Sequence, residues 1–137
     1  MNHDFQDILA PFYKQALTVN GGTRPTAILQ RVLADNFRSL NGGEAKDKAT
    51  LIAQVEGFWK LIPDLKWDPQ EKIVEGNRAV IRSVATGSPK GNFMGMTLDG
   101  SRSFRIDTID VHTIENGQIA SVHHLEDWAA AMRQLRG

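Results

Sequence analysis

The chain has 137 residues, with 16 basic and 16 acidic side chains and no cysteine. At roughly 100 to 200 residues per domain this is the length of one domain. Zero formal charge supplies no field for a phosphate backbone or an anionic lipid surface, and the lack of thiols excludes disulfides, thiolate nucleophiles and Cys-ligated metals. With 41% hydrophobic and 23% charged residues, the composition is that of a folded domain. No run approaches the roughly 18 apolar residues of a membrane span. Met1-Asn2-His3-Asp4 lacks the basic, apolar start of a signal peptide, so a cytoplasmic protein is expected.

The pattern divides into a helical first half and a strand-rich second half, changing near Pro63, which argues for an α+β fold with a sheet under several helices. Phe5, Ile8, Leu9, Phe12, Ala16 and Leu17 recur at helical spacing, with Pro11 marking a kink or a first turn and Asn20-Gly21-Gly22 a stop. A second helix starts at Pro25-Thr26 and carries Ile28, Leu29, Val32 and Leu33 on one face; Asn41-Gly42-Gly43 is a loop. The third helix spans about Asp47 to Ile62, with Leu51, Val55, Phe58, Trp59 and Ile62 as its apolar face. Leu65 to Glu75 and Ala79 to Gly87 follow as strands around Gly76-Asn77, then a Gly-rich loop or broken strand from Ser88 to Met96. Ser103 to Glu115 and Gln118 to Asp127 form a hairpin around Asn116-Gly117, the favoured type I′ pair, and a helix from Trp128 to Leu135 closes the chain.

If Asn116-Gly117 is a two-residue turn and the ladder is regular, one face of that hairpin carries Ile114 opposite Ile119, His112 opposite Ser121, Asp110 opposite His123 and Ile106 opposite Asp127. Opposed Cβ atoms lie about 4.5 to 5.5 Å apart, so Asp110 could orient the His123 imidazole and raise its basicity, with His112 diagonal to His123 and within reach of the same small ligand. His124 falls on the other face, and a β-bulge would move part of the set across the sheet. Each residue also has a plainer reading: Asp110 and His123 as a solvent-facing pair, His112 as a structural histidine, and Asp127 as the N-cap of the helix that starts at Trp128. Trp59 and Trp67 suit either the core or a pocket wall, and Tyr13, the only tyrosine, suits a half-buried helix face or a hydrogen bond into a pocket. The Gly91-Asn92-Phe93-Met94-Gly95 segment lacks the Gly-Lys-Ser/Thr ending of a phosphate loop.

The succession Ile62-Pro63-Asp64-Leu65, Glu75-Gly76-Asn77-Arg78-Ala79-Val80, Gly87-Ser88-Pro89-Lys90-Gly91-Asn92-Phe93-Met94-Gly95, Asp110 to Ile119, Asp127 and Gln134-Leu135 resembles the SnoaL-like polyketide cyclases of the NTF2-like superfamily. The resemblance implies an α+β cone, a curved antiparallel sheet around a pocket closed by N-terminal helices. It also implies intramolecular aldol chemistry without cofactor or metal, with an aspartate near the end of the last strand as acid-base catalyst. Asp127 matches that position, while His123 and His112 stand where relatives carry aromatic residues.

The expectation is therefore a single SnoaL-like domain over residues 1–137, acting on a small apolar carbonyl or polyketide-like compound by proton abstraction. Asp127, His123, Asp110 and His112 are the candidate catalysts, and Trp59, Phe58, Phe93, Met94, Met96 and Tyr13 the candidate substrate contacts. Two alternatives stand beside it: a hydratase or hydrolase using an aspartate-activated water, and a non-catalytic ligand-binding or dimerisation module. The partners expected are a small hydrophobic molecule and, from the resemblance, a second copy of the chain. An enzyme predicts a pocket aspartate with a raised pKa, whereas a binding module predicts Asp127 on the helix end and Asp110 in water.

Overall fold

The computed structural model describes residues 5–137; His3 lies outside them. It begins with two π-helical turns, Phe5–Leu9 and Phe12–Ala16, on either side of Ala10-Pro11. Proline lacks an N–H and crowds the carbonyl four residues back, and the wider π turns accommodate it where a regular helix would break. Then come α1 (Pro25–Val32), β1 (Leu33–Asn41), β2 (Glu44–Asp47), α2 (Lys48–Leu61), β3 (Lys66–Glu75), β4 (Arg78–Gly87), β5 (Lys90–Phe93), β6 (Met96–Asp99), β7 (Phe104–Glu115), β8 (Gln118–Glu126) and α3 (Trp128–Arg136). A curved six-stranded sheet in the order β2-β1-β8-β7-β4-β3 carries the helices on its inner face, and β5-β6 form a separate two-stranded hairpin.

The expected division into a helical and a stranded half fails at β1 and β2. The stretch Leu-Ala-Asp-Asn-Phe-Arg-Ser-Leu-Asn has few strand formers, yet β1 is held from both sides, by β2 across the Asn41-Gly42-Gly43 turn and by β8 in parallel pairing. Only Phe37 and Ser39 turn inward with Leu33, so the period-2 signal is too short to read. The Gly-rich segment is likewise ordered: Met94 and Gly95 both have positive φ and form the tight turn between β5 and β6.

Elsewhere residues and elements agree. Asp47 caps α2, its side chain accepting from Thr50 N–H at 2.9 Å. Asn116 and Gly117 both take positive φ, as a type I′ turn requires. Gly87, at the end of β4, is demanded by packing: a Cβ there would collide with the Ile62 side chain and lie 3.2 Å from the Phe104 ring. We expect Gly87→Ala to cost about 1–3 kcal/mol by overpacking, read as a lower midpoint in urea unfolding; an unchanged midpoint would mean Ile62 yields freely.

The register of the final hairpin departs from the regular ladder in one respect. Ile114 opposes Ile119 as expected, but Thr113 then opposes Ser121, so Ala120 is an extra residue on β8. From there every pair is displaced by one: His112 faces Val122, Asp110 faces His124, and Thr108 faces Glu126. His123 is carried to the outer surface, where it is exposed, and His124 and Glu126 take the inner face.

Candidate functional site

The cavity lies between the inner face of the sheet and α2. Leu51, Gln54, Val55 and Phe58 follow the i, i+3, i+4, i+7 spacing of one helical face and form its roof. Asp110, Val122, His124, Glu126 and Ser39 come from the strands opposite, and Phe12, Leu17, Trp67 and Trp128 complete the wall around a cavity of about 80 Å³. That is room for several water molecules, since one needs about 10–15 Å³ by the same measure.

Asp110 is 4% exposed. The Tyr13 hydroxyl, brought over the sheet by the second π turn, donates to its Oδ2 at 2.6 Å and lies 2.7 Å from Nε2 of His112. A phenol has one proton to give, and here Asp110 receives it. His112 must then be the donor, carrying its proton on Nε2, which leaves Nδ1 as a buried acceptor without a partner. Burial pushes the Asp110 carboxyl up to about 7, reinforced by the nearby Glu126 charge and opposed by the Tyr13 hydrogen bond and by His124. Burial alone takes His112 down to about 3, so it is a neutral donor at any ordinary pH. Burial, with the Asp110 charge and hydrogen bond behind it, holds the Tyr13 phenol well above its usual range.

The second polar group of the cavity is His124 with Glu126. Nδ1–H donates to Glu126 Oε2 at 2.7 Å, and the Trp128 indole N–H holds Oε1 at 3.2 Å. The hydrogen bond that Glu126 accepts raises the imidazole above its ordinary value, with the Glu126 and Asp110 charges in support, and against it partial burial and Lys46.

Tyr13→Phe removes the bond that holds Asp110 and leaves both nitrogens of His112 unpartnered. Orphaning a buried polar group costs about 1–3 kcal/mol. We expect a destabilisation of that size in urea unfolding at pH 7, and unchanged stability would show that Tyr13 tethers neither residue.

Of the residues expected to act together, the structure joins Asp110, His112 and Tyr13 and keeps Phe58 on the cavity wall. It separates the rest. The opposition of Asp110 and His123 is corrected to Asp110 and His124, because the Ala120 bulge turns His123 outward. Asp127 is exposed and caps α3, accepting from Ala130 N–H at 3.1 Å, so its carboxylate is engaged at the helix end and not in the cavity. Trp59 lies behind the wall, donating to the Ala16 carbonyl at 2.8 Å. Phe93 stacks on Phe104 and touches the edge of Trp128, Met96 packs against the core, and Met94 is exposed at its turn; none of the three lines the cavity. His124, Glu126 and Trp128 were missed. One signal was available: Ile119 and Val122, the apolar inner residues of β8, are three apart, an odd spacing that a regular strand cannot place on one face. Among the described residues no cluster of three His, Cys, Asp or Glu is arranged to hold a metal ion.

The two marks that separate an enzyme from a binding module are divided. Asp127 does cap its helix, but Asp110 is buried in the cavity with a raised pKa.

A curved sheet with helices on its inner face around one polar-floored cavity defines a small α+β cone of the SnoaL-like, NTF2-like kind. The chain belongs to the SnoaL-like polyketide cyclase family, whose model matches residues 8–135. Its fold is close to that of a putative SnoaL-like polyketide cyclase from Jannaschia sp. CCS1, with TM-score 0.83 and 19% identity over 96% of this chain and 91% of that one. TsrD from Streptomyces laurentii is similar at TM-score 0.81 and 22% identity, covering 98% and 96%. IdmH, a putative polyketide cyclase from Streptomyces antibioticus, is similar at TM-score 0.81 and 20% identity, covering 96% and 98%. Comparison with curated protein sequences finds no match.

Proposed function

We propose that the cavity removes a proton from the carbon next to the carbonyl of a small apolar ketone, the opening step of an aldol cyclisation or an isomerisation, with Asp110 as the base. The observation that carries this reading is the Asp110 carboxyl itself: it lines an apolar cavity, Tyr13 fixes its orientation, and its pKa of about 7 matches the pH at which a base must exchange protons. His112 supports it indirectly by holding Tyr13. The aromatic walls, Phe58, Trp67 and Trp128, suit a flat apolar skeleton.

The test is solvent deuterium incorporation into 2-tetralone, followed by proton NMR. The reading expects exchange faster than in protein-free buffer, lost in Asp110→Asn and retained in His123→Ala and Asp127→Asn, whose side chains lie outside the cavity. Wild-type exchange no faster than buffer, or full exchange by Asp110→Asn, would overturn it.

A second copy of the chain is the partner this reading expects. On the outer face of the sheet Ile109 and Leu125 are cross-strand partners, 46% and 66% exposed, and Ile73 is 63% exposed two strands from Ile109. Arg82 bonds Glu71 and approaches Asp107 on the same face, so the patch offers both apolar surface and charges of both signs to a symmetric copy. Leu125→Asp is expected to turn a dimer into a monomer in light-scattering mass measurements; a wild-type monomer would contradict this.

A further inference from the structure

Proton removal by Asp110 makes no use of His124 and Glu126, although they stand on the strand facing it. His124 is the Cα partner of Asp110 on β8, which brings opposed Cβ atoms to about 4.5–5.5 Å, and both residues line the same cavity. Glu126 is held at both oxygens, Oε2 by His124 and Oε1 by the Trp128 indole, so the imidazole it grips has a fixed orientation. With Nδ1–H committed to Glu126, the ring's remaining polar atom is Nε2, and the only side-chain hydrogen bond of His124 among the described residues is the one at Nδ1. A residue that lines a ligand cavity with one nitrogen clamped and the other open is arranged to meet a ligand.

We propose that His124 Nε2–H is the oxyanion donor of the cavity: it hydrogen-bonds the substrate's carbonyl oxygen and holds the negative charge that grows there as Asp110 takes the proton, with Glu126 as its positioning residue. The inference rests on the reading of Asp110 as the base, and it narrows the substrate to an enolisable ketone on a flat apolar skeleton whose oxygen reaches β8 while its acidic carbon faces β7. In the step, the C–H bond breaks and its proton goes to the Asp110 carboxylate. The C–H electron pair becomes the C=C bond, and the carbonyl π pair moves onto oxygen, which accepts a hydrogen bond from Nε2–H. Protonation at carbon reverses the step, and attack of the enolate carbon on a second carbonyl closes a ring. A charged donor is worth more to an oxyanion than a neutral one. The groups around His124 are Glu126 and Asp110, which favour its imidazolium, and Lys46 on β2, which opposes it while its Nζ holds the Gln54 side chain in the roof at 3.2 Å.

The test uses 4-nitrophenol, whose phenolate copies an enolate oxygen on a flat ring and absorbs visibly where the phenol does not. Wild-type protein is expected to bind the phenolate and lower the probe's apparent pKa by about one unit, a tenfold preference for the anion. His124→Gln should abolish that shift. Glu126→Gln should keep it at low pH and lose it at a lower pH than wild type, because the imidazole without its carboxylate deprotonates earlier; a residue of merely structural importance would not move that pH. Asp110→Asn should retain the shift at low pH, where Glu126 still supports the imidazolium, and lose it at a lower pH than wild type, because the Asp110 charge also favours the protonated ring. Absence of the shift in wild type, or its survival in His124→Gln, overturns the proposal. The two readings fail separately: a His124-independent shift beside Asp110-dependent exchange of 2-tetralone leaves the base and removes the donor, and the converse removes the base and leaves the donor.

Discussion

Replacing Asp110 with asparagine is expected to reduce carbon-proton exchange by about 10²- to 10⁴-fold, the usual contribution of a positioned general base. The change is nearly isosteric, and an amide can still accept from Tyr13 Oη, so the cavity should keep its shape and bind its ligand. The wild-type profile carries the same information. Asp110 must be ionised to accept a proton, which gives kcat/KM a rising limb centred near the carboxyl's pKa of about 7. His124 must be protonated to donate, which gives a falling limb on the alkaline side, moved upward by the hydrogen bond to Glu126 that raises the imidazole's pKa. A bell-shaped profile that loses its acid limb in Asp110→Asn is expected from rate measurements across pH 5 to 10; a profile flat through pH 7 would remove Asp110 from the mechanism.

The second large effect is on stability. The Asp110 carboxyl rises on folding from its ordinary 3.8 to about 7, so between those values the folded state holds a proton that the unfolded chain has released, and stability falls as pH rises. Over that interval the loss is on the order of 4 kcal/mol, at about 1.4 kcal/mol per unit. His112 runs the other way: its pKa falls on folding from 6.5 to about 3, so the unfolded chain binds the extra proton and stability falls as pH drops through that range. Between about pH 4 and 6.5 the two slopes are nearly equal and opposite, and together these residues leave the protein almost indifferent to pH. Asp110→Asn breaks the balance. The variant should gain on the order of 3 kcal/mol relative to wild type between pH 5 and pH 8, and its own stability should fall steeply towards acid as the His112 contribution stands alone. Groups remote from the cavity, such as the exposed Asp47 and Asp99, cancel in the difference between the two proteins. Urea unfolding across pH 4 to 8 measures it, and parallel curves for the two proteins would mean that Asp110 is not buried as a neutral acid.

What the residues disclose by themselves follows from how each element is determined. α2 announces itself because an N-cap aspartate, an apolar face and Ile62-Pro63 all agree, and the β7–β8 turn because Asn116-Gly117 suits few other conformations. The family motifs lie in turns and strand ends, where backbone geometry restricts the residue, so the fold could be read from them. β1 stayed hidden because it is held by a strand distant in sequence, Ile119 to His123 on β8, and β2 because it pairs only with β1; neither is announced by its own polar residues. The site was half legible for a related reason. Asp110 and His112 lie on β7, whose inward residues alternate without interruption from Phe104 to Ile114, and period-2 counting places them correctly. Their partners lie on β8 beyond a single extra residue, and one residue exchanges His123 for His124 and brings Glu126 inward. Asp127 suited either a catalyst or a cap on sequence grounds; the start of α3 beside it engaged its carboxylate.

All of this turns on one carboxyl group. Labelling the aspartates with ¹³C and following the Asp110 side-chain carboxyl by NMR from pH 3 to 10 reports its protonation directly. A midpoint near 7, with the resonance assigned by its disappearance in Asp110→Asn, is the result expected from its burial beneath α2. A midpoint near 4, the value of an aspartate in water, would contradict both the buried site and the base assigned to it.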